Sequence, residues 1–280
     1  QVFQKNLKTN SDTILIMKKN NLLNQTAIVC GASKGIGAAT AIELSKCGAS
    51  TILLARNKND LSQIIDQLDT NQKQTHSFII ADFQNPVSLR REIRSFLQTY
   101  SKPIEILINN TGGPKPGPAM DASPEDFITA FNQHLISNHV LVNSLVSSMK
   151  KNNYGRIINI ISTSVKQPIK GLGVSNTIRG AVASWAKTLS YELGEFGITV
   201  NNVLPGYTET ERLHEIFEKK SKSTGIDIES VIMEAQAQIP LKRFANPSET
   251  AKAISFLASS DAGYINGINL PVDGGRLSTL

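Results

Sequence analysis

Short apolar runs alternate with longer segments of helical periodicity along almost the whole chain. Most runs are unbroken stretches of Ile, Val and Leu, which is typical of parallel strands buried on both faces. Alternating strands and helices with right-handed crossovers predict an α/β fold, a doubly wound (Rossmann-type) parallel sheet with helices on both faces. The seven predicted strands are Thr26–Cys30, Thr51–Ala55, His76–Ala81, Ile104–Asn109, Arg156–Ser162, Thr199–Leu204 and Ile268–Val272.

Three helix starts are marked by capping side chains. Asn85, Ser123 and Asn246 each precede a proline, which suits the first position of a helix. After Ser123 and Asn246 an acid follows three residues on, as in a capping box. These signals predict helices that begin at the three prolines.

The domain organisation that we expect is simple. No linker or change of composition divides residues 22–280, so they are expected to form one domain with its own core. Residues 1–21 are expected to be an N-terminal extension, of which 1–16, ahead of Met17, are either native or left by cloning. The polar helical stretch 209–238 is expected to form a mobile flap on the domain.

Composition and charge exclude several classes of protein. The two cysteines, Cys30 and Cys47, lie in apolar segments, which favours free thiols and a reducing, cytoplasmic compartment. The four histidines have no metal-binding spacing. The net charge of +6 comes from basic residues interleaved with acidic ones, so we expect a solvated surface rather than nucleic-acid binding. No apolar stretch approaches the roughly 18 residues of a membrane span, and no membrane partner is expected.

A glycine-rich turn, Gly31-Ala-Ser-Lys-Gly-Ile-Gly37, follows the first predicted strand and precedes a predicted helix, Ala38–Lys46. A backbone that approaches a pyrophosphate closely needs residues without side chains, and the helix N-terminus supplies amide donors. The turn therefore predicts a dinucleotide site. Its candidate contact residues are Gly31, Ser33, Lys34, Gly35, Ile36 and Gly37.

The end of the second strand bears on which dinucleotide is bound. An acid there would pair with the ribose hydroxyls of NAD, whereas a cation accommodates a 2′-phosphate. The sequence has Arg56 at this point and no acid, and Lys34 stands in the nearby turn. We therefore expect NADP(H), with NAD(H) as the alternative, in which case Arg56 and Lys34 are ordinary surface cations.

Further motifs carry a family resemblance from about Leu22 onward. They are Asp82, Asn109-Asn110-Thr111-Gly112, Asn159-Ile160-Ile161-Ser162, Pro205-Gly206 and Pro271-Val272-Asp273-Gly274-Gly275. With the glycine turn, they make the chain resemble the short-chain dehydrogenase/reductase family. The segments Gly112–Pro118 and Ser164–Pro168 resemble a divergent, reductase-like branch similar to 3-oxoacyl-carrier-protein reductases.

The resemblance implies roles for several residues. Asp82 would contact the adenine, Asn109, Thr111 and Gly112 would line the cofactor site, and Pro205, Gly206 and Thr208 would meet the nicotinamide end. It also implies a homodimer or homotetramer.

The same resemblance implies an altered catalytic tetrad. Ser162 keeps the family's serine position, but Ser175 stands at the tyrosine position, Arg179 at the lysine position and His134 at the asparagine position. A serine hydroxyl is shorter and less acidic than a phenol, and an arginine does not relay a proton. If the protein is active, Ser162 would bind the substrate oxygen and Arg179 the nicotinamide ribose.

Two interpretations of the remaining chemistry stay open. His134 could relay a proton with Ser162, while Lys166 or Arg179 fixes an anionic substrate group; otherwise His134 is a polar core residue and Lys166 a solvated one. Tyr207, after the Pro-Gly turn, is a further candidate. The leading expectation is an NADP(H)-dependent oxidoreductase that moves hydride between the nicotinamide and a carbonyl or alcohol substrate. The alternative is a dinucleotide-binding sensor or scaffold without turnover.

Overall fold

A parallel sheet of seven strands forms the centre of the computed structural model, which describes residues 21–279. The strands lie in the order β3-β2-β1-β4-β5-β6-β7. All seven predicted strands are confirmed, with ends that shift by at most two residues. The strands are β1 (Thr26–Cys30), β2 (Ser50–Ala55), β3 (His76–Ile80), β4 (Ile106–Asn109), β5 (Gly155–Ile160), β6 (Ile198–Pro205) and β7 (Asn269–Val272).

Nine α-helices connect these strands within the described residues. They are α1 (Gly35–Lys46), α2 (Lys58–Ile65), α3 (Pro86–Thr99), α4 (Pro124–Phe131), α5 (Ser137–Lys151), α6 (Gly173–Leu193), α7 (Glu211–Thr224), α8 (Ile228–Ala237) and α9 (Pro247–Ala258). A π-helical turn, Asn132–Ile136, joins α4 to α5. The predicted N-terminal extension, apart from residue 21, lies outside the described residues.

Helices cover both faces of the sheet. On one face, α1 and α9 bury Leu44 and Ile254 against β1, β2, β4 and β5. On the other face, α3, α5 and α6 bury Leu89, Leu145 and Ala186. Because both faces are covered, the strands consist of continuous apolar runs, as the sequence indicated.

The strand order reverses between β1 and β4, which are neighbours although β2 and β3 intervene in the chain. From β1 the chain continues to β2 and β3 in one half of the sheet, and from β4 it continues to β5, β6 and β7 in the other half. A crevice therefore opens at the carboxyl ends of these strands, where doubly wound folds bind ligands.

The three predicted helix starts are confirmed. Ser123 and Asp126 form a capping box at α4, and Asn246 and Glu249 form another at α9. Asn85 caps α3 by accepting a hydrogen bond from the amide of Ser88 at 3.0 Å. These starts were predictable because a cap is a local interaction between residues a few positions apart.

A ladder of four asparagines ties the neighbouring strands β4, β5, β6 and β7 together. Nδ2 of Asn109 donates to Oδ1 of Asn159 at 2.9 Å, Asn159 donates likewise to Asn202 at 2.9 Å, and Asn202 to Asn269 at 2.8 Å. Asn109, Asn159 and Asn202 are buried. The ladder joins residues that are direct partners in the strand register, Asn109 with Asn159, Asn159 with Asn202 and Asn202 with Asn269.

The segment predicted as a flap contains α7 and α8. These helices share a small core of their own, in which Leu213 and Phe217 of α7 pack with Val231 of α8 and with Phe244. Tyr207 joins this core, with its ring 5.9 Å from that of Phe217 and 5.8 Å from that of Phe244. The mobility of this segment stays a prediction.

Three kinds of feature are absent from residues 21–279. No helix in this range is long and apolar enough to cross a bilayer. The range also contains no group of His, Cys, Asp and Glu side chains that could hold a metal ion. Cys30 is buried in β1, Cys47 is half-buried after α1, and no disulfide joins them.

Candidate cofactor and active site

A cleft of about 1100 Å³ opens at the carboxyl edge of the sheet. Its walls come from the glycine-rich turn, the ends of β2, β4, β5 and β6, the first turns of α6 and the start of α7. The cleft therefore occupies the crevice that the reversal of strand order creates.

The glycine-rich turn requires glycine at several positions. Gly31 and Gly35 have φ angles of +57° and +54°, in the left-handed region that favours glycine. A Cβ at Gly37 would lie 2.1 Å from the carbonyl oxygen of Gly31. Nδ2 of Asn110, from the neighbouring β4 end, donates to the carbonyls of Cys30 and Gly31 at 3.3 and 3.4 Å. The turn is thus held close to the backbone of the strand beside it.

The N-terminus of α1 suits an anionic group. Lys34 occupies the N-cap position, but its side chain makes no capping hydrogen bond, and the first turn contains no acid. The amides of the first turn lack partners within the helix, and together they act as a partial positive charge. A pyrophosphate fits this arrangement, and no side chain competes for those donors.

Cations and acids meet at the outer end of the cleft. Nζ of Lys34 lies 2.9 Å from Oε2 of Glu211, and this hydrogen bond raises the pKa of Lys34. Arg56 lines the same end. Nη2 of Arg212 donates to the carbonyl of Pro114 at 3.2 Å. The start of α7 therefore bridges the mouth of the cleft, from the glycine turn to the loop after β4.

Ser162, Ser175 and Arg179 lie at the inner end of the cleft. Ser162 follows β5, and its Oγ accepts a hydrogen bond from the amide of Ser164 at 3.1 Å. This cap begins a short 3₁₀ turn, which is why β5 ends before Ser162 and not at it. Ser175 and Arg179 are four residues apart on α6, so they share one face of the helix.

The guanidinium of Arg179 is buried and largely unpartnered. Its side chain is 8 % exposed, and Nη1 donates to the carbonyl of Ile160 at 2.9 Å. Nε has no hydrogen-bond partner, and Arg179 makes no ion pair with any residue in 21–279. Burial lowers the pKa of Arg179 to about 10, so the group is still charged at neutral pH.

His134 lies behind the cleft. It sits in the π-helical turn, is 1 % exposed, and its Nε2 has no partner among the described residues. Burial and, to a lesser extent, the charge of Arg179 lower its pKa to about 2, so His134 is neutral near pH 7. Its neighbour Gln133 lines the cleft instead and donates to Thr111 Oγ1 and the Gly112 carbonyl. The hypothesised relay through His134 therefore has no geometric support.

The cleft gathers most of the residues that the sequence singled out. Those that line it are Gly31, Ser33, Lys34, Gly35, Ile36, Arg56, Asp82, Thr111, Gly112, Ser162, Ser175, Arg179, Pro205 and Gly206. Those that do not are Gly37, Asn109, His134, Lys166, Tyr207 and Thr208. Gly37 and Asn109 act one layer behind the cleft, through the packing of the turn and through the asparagine ladder.

Some lining residues were absent from the sequence-based prediction. Gln133, Glu211 and Arg212 contribute to the cleft, yet no local motif marks them. Glu211 meets Lys34 across 177 positions of sequence, so only the folded chain reveals the pair. Asn110 belongs to a recognised motif, but its bonds to the glycine turn depend on the pairing of β1 with β4.

Comparison with known proteins identifies the family. The family model described as enoyl-(acyl carrier protein) reductase matches residues 31–276, which include every part of the cleft. The chain belongs to the short-chain dehydrogenase/reductase family. The resemblance carried by the glycine turn and the later motifs is thereby confirmed.

Members of this family with curated names are similar over nearly their full lengths. The chain is 29% identical to the NADPH-dependent reductase BacG of Bacillus subtilis over 256 residues, which cover 91% of this chain and 99% of that protein. It is 30% identical to the 3-oxoacyl-[acyl-carrier-protein] reductase FabG of Vibrio cholerae, covering 91% and 98%.

Solved structures of short-chain reductases share the fold. YwfH, an NADPH-dependent reductase involved in bacilysin biosynthesis, superimposes with a TM-score of 0.86 at 28% identity, covering 92% of this chain and 100% of that one. L-sorbose reductase from Gluconobacter frateurii, complexed with NADPH and L-sorbose, gives 0.86 at 28% identity, covering 94% and 100%.

Proposed function

We propose that the protein is an NADP(H)-dependent oxidoreductase that moves hydride between the nicotinamide and a carbonyl or alcohol substrate. The observation that carries this proposal is one continuous cleft. It joins a glycine turn with free helix amides to a cationic outer end and a polar inner end. The relatives named as NADPH-dependent reductases support the same activity and the same cofactor.

Each part of the cleft has a proposed role toward the dinucleotide. The turn from Gly31 to Gly37 and the amides of α1 would hold the pyrophosphate. Lys34 and Arg56 would hold the 2′-phosphate, which requires Lys34 to exchange Glu211 for the phosphate. Asp82, which lines the cleft after β3, would meet the adenine.

The inner end would carry the chemistry. When bound, NADPH supplies a hydride to the carbonyl carbon of the substrate. Ser162 would donate a hydrogen bond to the carbonyl oxygen, and Arg179 would bind the nicotinamide ribose. Water is the proton source that we propose, because no tyrosine, histidine or cysteine in residues 21–279 lines the cleft.

The cleft also favours a second candidate function, a dinucleotide-binding sensor or scaffold without turnover. A positioned general acid contributes about 10²–10⁴-fold in rate. Ser162, Ser175 and Arg179 include no group that exchanges a proton readily near neutral pH. A protein with this inner end could therefore bind the cofactor and release it unchanged.

Binding measurements test the cofactor assignment. NADPH and NADH are titrated separately by fluorescence against the parent protein and its Lys34→Ala and Arg56→Ala variants. A lost charge-assisted hydrogen bond weakens binding about 10- to 100-fold, so we expect NADPH affinity to fall and NADH affinity to stay the same. Lys58→Ala is the control, since Lys58 starts α2 outside the cleft lining. Equal loss of both cofactors would contradict the assignment.

Turnover distinguishes the two candidates. Absorbance at 340 nm is followed with NADPH and a panel of aldehydes, ketones and 2-oxo acids. Oxidation that requires a carbonyl and is reduced in Ser162→Ala supports the oxidoreductase. Tight NADPH binding without oxidation by any member of the panel favours the sensor.

Other expectations belong to the same proposal. We propose that residues 22–280 act as one domain, that the protein forms a homodimer or homotetramer, and that it works in the cytoplasm. Sedimentation equilibrium of the purified protein tests the oligomeric state, and a monomer at micromolar concentration would contradict it.

A further inference from the structure

The charge of Arg179 is not balanced at the inner end of the cleft. A buried cation is costly unless an anion or several hydrogen bonds compensate it. A guanidinium has five N–H donors, and the described residues give Arg179 only one acceptor, the carbonyl of Ile160. Nε is left without a partner, and the Nη2 group lies beside Gly113 at the cleft wall.

Five acidic residues line the cleft, and none of them forms an ion pair with Arg179. Asp60, Glu211 and Glu215 act on the pKa of Lys34 at the outer end, Asp82 follows β3, and Glu209 precedes α7. His134, whose pKa the charge of Arg179 helps to lower, is neutral at pH 7 and provides no negative charge. No group among the described residues therefore balances the charge of Arg179 where a substrate would lie.

We propose that the substrate bears a carboxylate next to its reducible carbonyl, and that Arg179 binds this carboxylate. The substrate class is thus a 2-oxo acid or, in the reverse direction, a 2-hydroxy acid. This inference rests on the proposed function, because it names the substrate of that same site.

Three features select a carboxylate over other anions. The planar fork of a guanidinium matches a carboxylate with two parallel hydrogen bonds. Arg179 is a single buried cation, which balances a carboxylate but leaves half of a phosphate dianion unpaired. Arg179 bonds the carbonyl of Ile160, two residues before Ser162, and both Arg179 and Ser162 line the cleft, so an anion on Arg179 would lie near the carbonyl that Ser162 would hold.

The side chains around Arg179 leave room for such a group. Ser175, one turn before it on α6, is small, and Gly113 opposite has no side chain. After its bond to Ile160, the fork retains donors for both the carboxylate and a ribose hydroxyl. A lysine at this place would offer one ammonium group and no planar fork.

The reaction balances without any further reactant. The carbonyl carbon of the 2-oxo acid takes up the hydride of NADPH, and its oxygen takes one proton from water. The products are the 2-hydroxy acid, NADP⁺ and hydroxide, and the carboxylate on Arg179 is unchanged throughout.

Matched substrates test the proposal directly. NADPH oxidation is measured with pyruvate and 2-oxobutanoate and with their methyl esters, whose carbonyl groups are more electrophilic. We expect kcat/KM to favour each acid by about 10- to 100-fold, the contribution of a charge-assisted bidentate contact. Esters or simple ketones that react as well as the acids would overturn the inference and leave the oxidoreductase proposal intact.

Substitutions in α6 test whether Arg179 causes the preference for acid over ester. Arg179→Lys keeps the charge but loses the fork, so the preference for acid over ester is expected to fall about 10-fold; acid and ester are both measured at saturating NADPH, so that any change in cofactor affinity affects the two substrates alike. Ser175→Tyr fills the space beside Arg179 and should abolish the preference. Thr177→Tyr, on the exposed side of the same helix, is the control and should leave it unchanged. An unchanged preference in Arg179→Lys and in Ser175→Tyr would contradict the proposal.

If the protein reduces no carbonyl compound, a binding assay tests whether Arg179 binds a carboxylate. Isobutyrate and isobutyramide are titrated by calorimetry into the NADPH complex of the parent and of Arg179→Lys. Stronger binding of isobutyrate, lost in the variant, would support the anion site although the oxidoreductase proposal had failed. Equal binding of acid and amide would overturn the inference.

Discussion

The packing of Gly37 offers a sharp test of the glycine turn. In a Gly37→Ala variant the new Cβ would lie 2.1 Å from the carbonyl oxygen of Gly31 and 2.8 Å from Nδ2 of Asn110. Ordinary contact begins near 3.4 Å, so the carbonyl would have to move by about 1.3 Å. Since Gly31 belongs to the backbone of a tight turn, no flexible side chain can absorb this shift.

The expected loss of stability follows from this geometry. Overpacking a rigid site costs about 1–3 kcal/mol, and a clash with backbone belongs at the upper end. Each kcal/mol lowers the Tm of a domain of this size by about 2–4 °C, so we expect a decrease of about 6–12 °C in Gly37→Ala. The affinity for NADPH should also fall at least about 10-fold, because the shift displaces the amides that face the pyrophosphate.

Thermal unfolding followed by circular dichroism, together with NADPH titration, checks both effects. Gly180→Ala is the matched control, because a Cβ at Gly180 meets nothing within 4 Å and the residue lies inside α6. In a helix interior this change should stabilise the protein by about 0.5–1 kcal/mol. A Gly37→Ala protein with the parental Tm and the parental NADPH affinity would refute the reasoning.

Three further predictions concern the surroundings of the cleft. Because the pKa of His134 is about 2 when folded and near 6.5 when unfolded, the unfolded chain binds the extra proton first as pH falls. Stability should therefore decline below about pH 6.5 by up to about 1.4 kcal/mol per unit, and urea unfolding at pH 5.0 and 7.5 should show a smaller decline in His134→Asn. Asn159→Ala leaves two buried ladder partners without a hydrogen bond, so the free energy of unfolding measured in urea should fall by about 2–4 kcal/mol. The control, Asn143→Ala at an exposed position, should lower it by under about 0.5 kcal/mol, and equal effects of the two changes would contradict this prediction. Glu211→Gln removes the carboxylate that holds Lys34, so NADPH affinity should rise about 2- to 5-fold while NADH affinity stays constant; a fall in NADPH affinity would contradict the exchange.

Much of the fold is predictable because its signals are local or compositional. The strands are continuous apolar runs since both faces of the sheet are covered, and α4 and α9 begin where a capping side chain precedes a proline. The asparagine ladder shows the limit of such signals. Asn109, Asn159, Asn202 and Asn269 all lie in or at the ends of predicted strands, but their alignment depends on the register between strands. That register is a property of the assembled sheet.

The candidate site divides in the same way. The position of Lys34 and Arg56 in the cleft could be predicted from their places after β1 and β2, because the fold fixes where those strand ends lie. The pairing of Lys34 with Glu211 could not, because it joins residues 177 positions apart. The burial of His134 was one of two interpretations that the sequence left open, and its place in the π-helical turn, which depends on how α4 and α5 pack, agrees with the polar core residue.

The two ends of the cleft place different requirements on the amino-acid sequence. Dinucleotide binding depends on backbone amides, on the left-handed conformations of Gly31 and Gly35, and on positive charge, and many side chains around these are compatible with it. Proton transfer instead needs one side chain with a suitable reach and pKa. A protein can therefore keep the features that bind the dinucleotide while the side chain that transfers the proton changes. For this reason we expect the buried Arg179 to favour a substrate that brings its own charge, since binding energy from that charge can orient the carbonyl toward the nicotinamide.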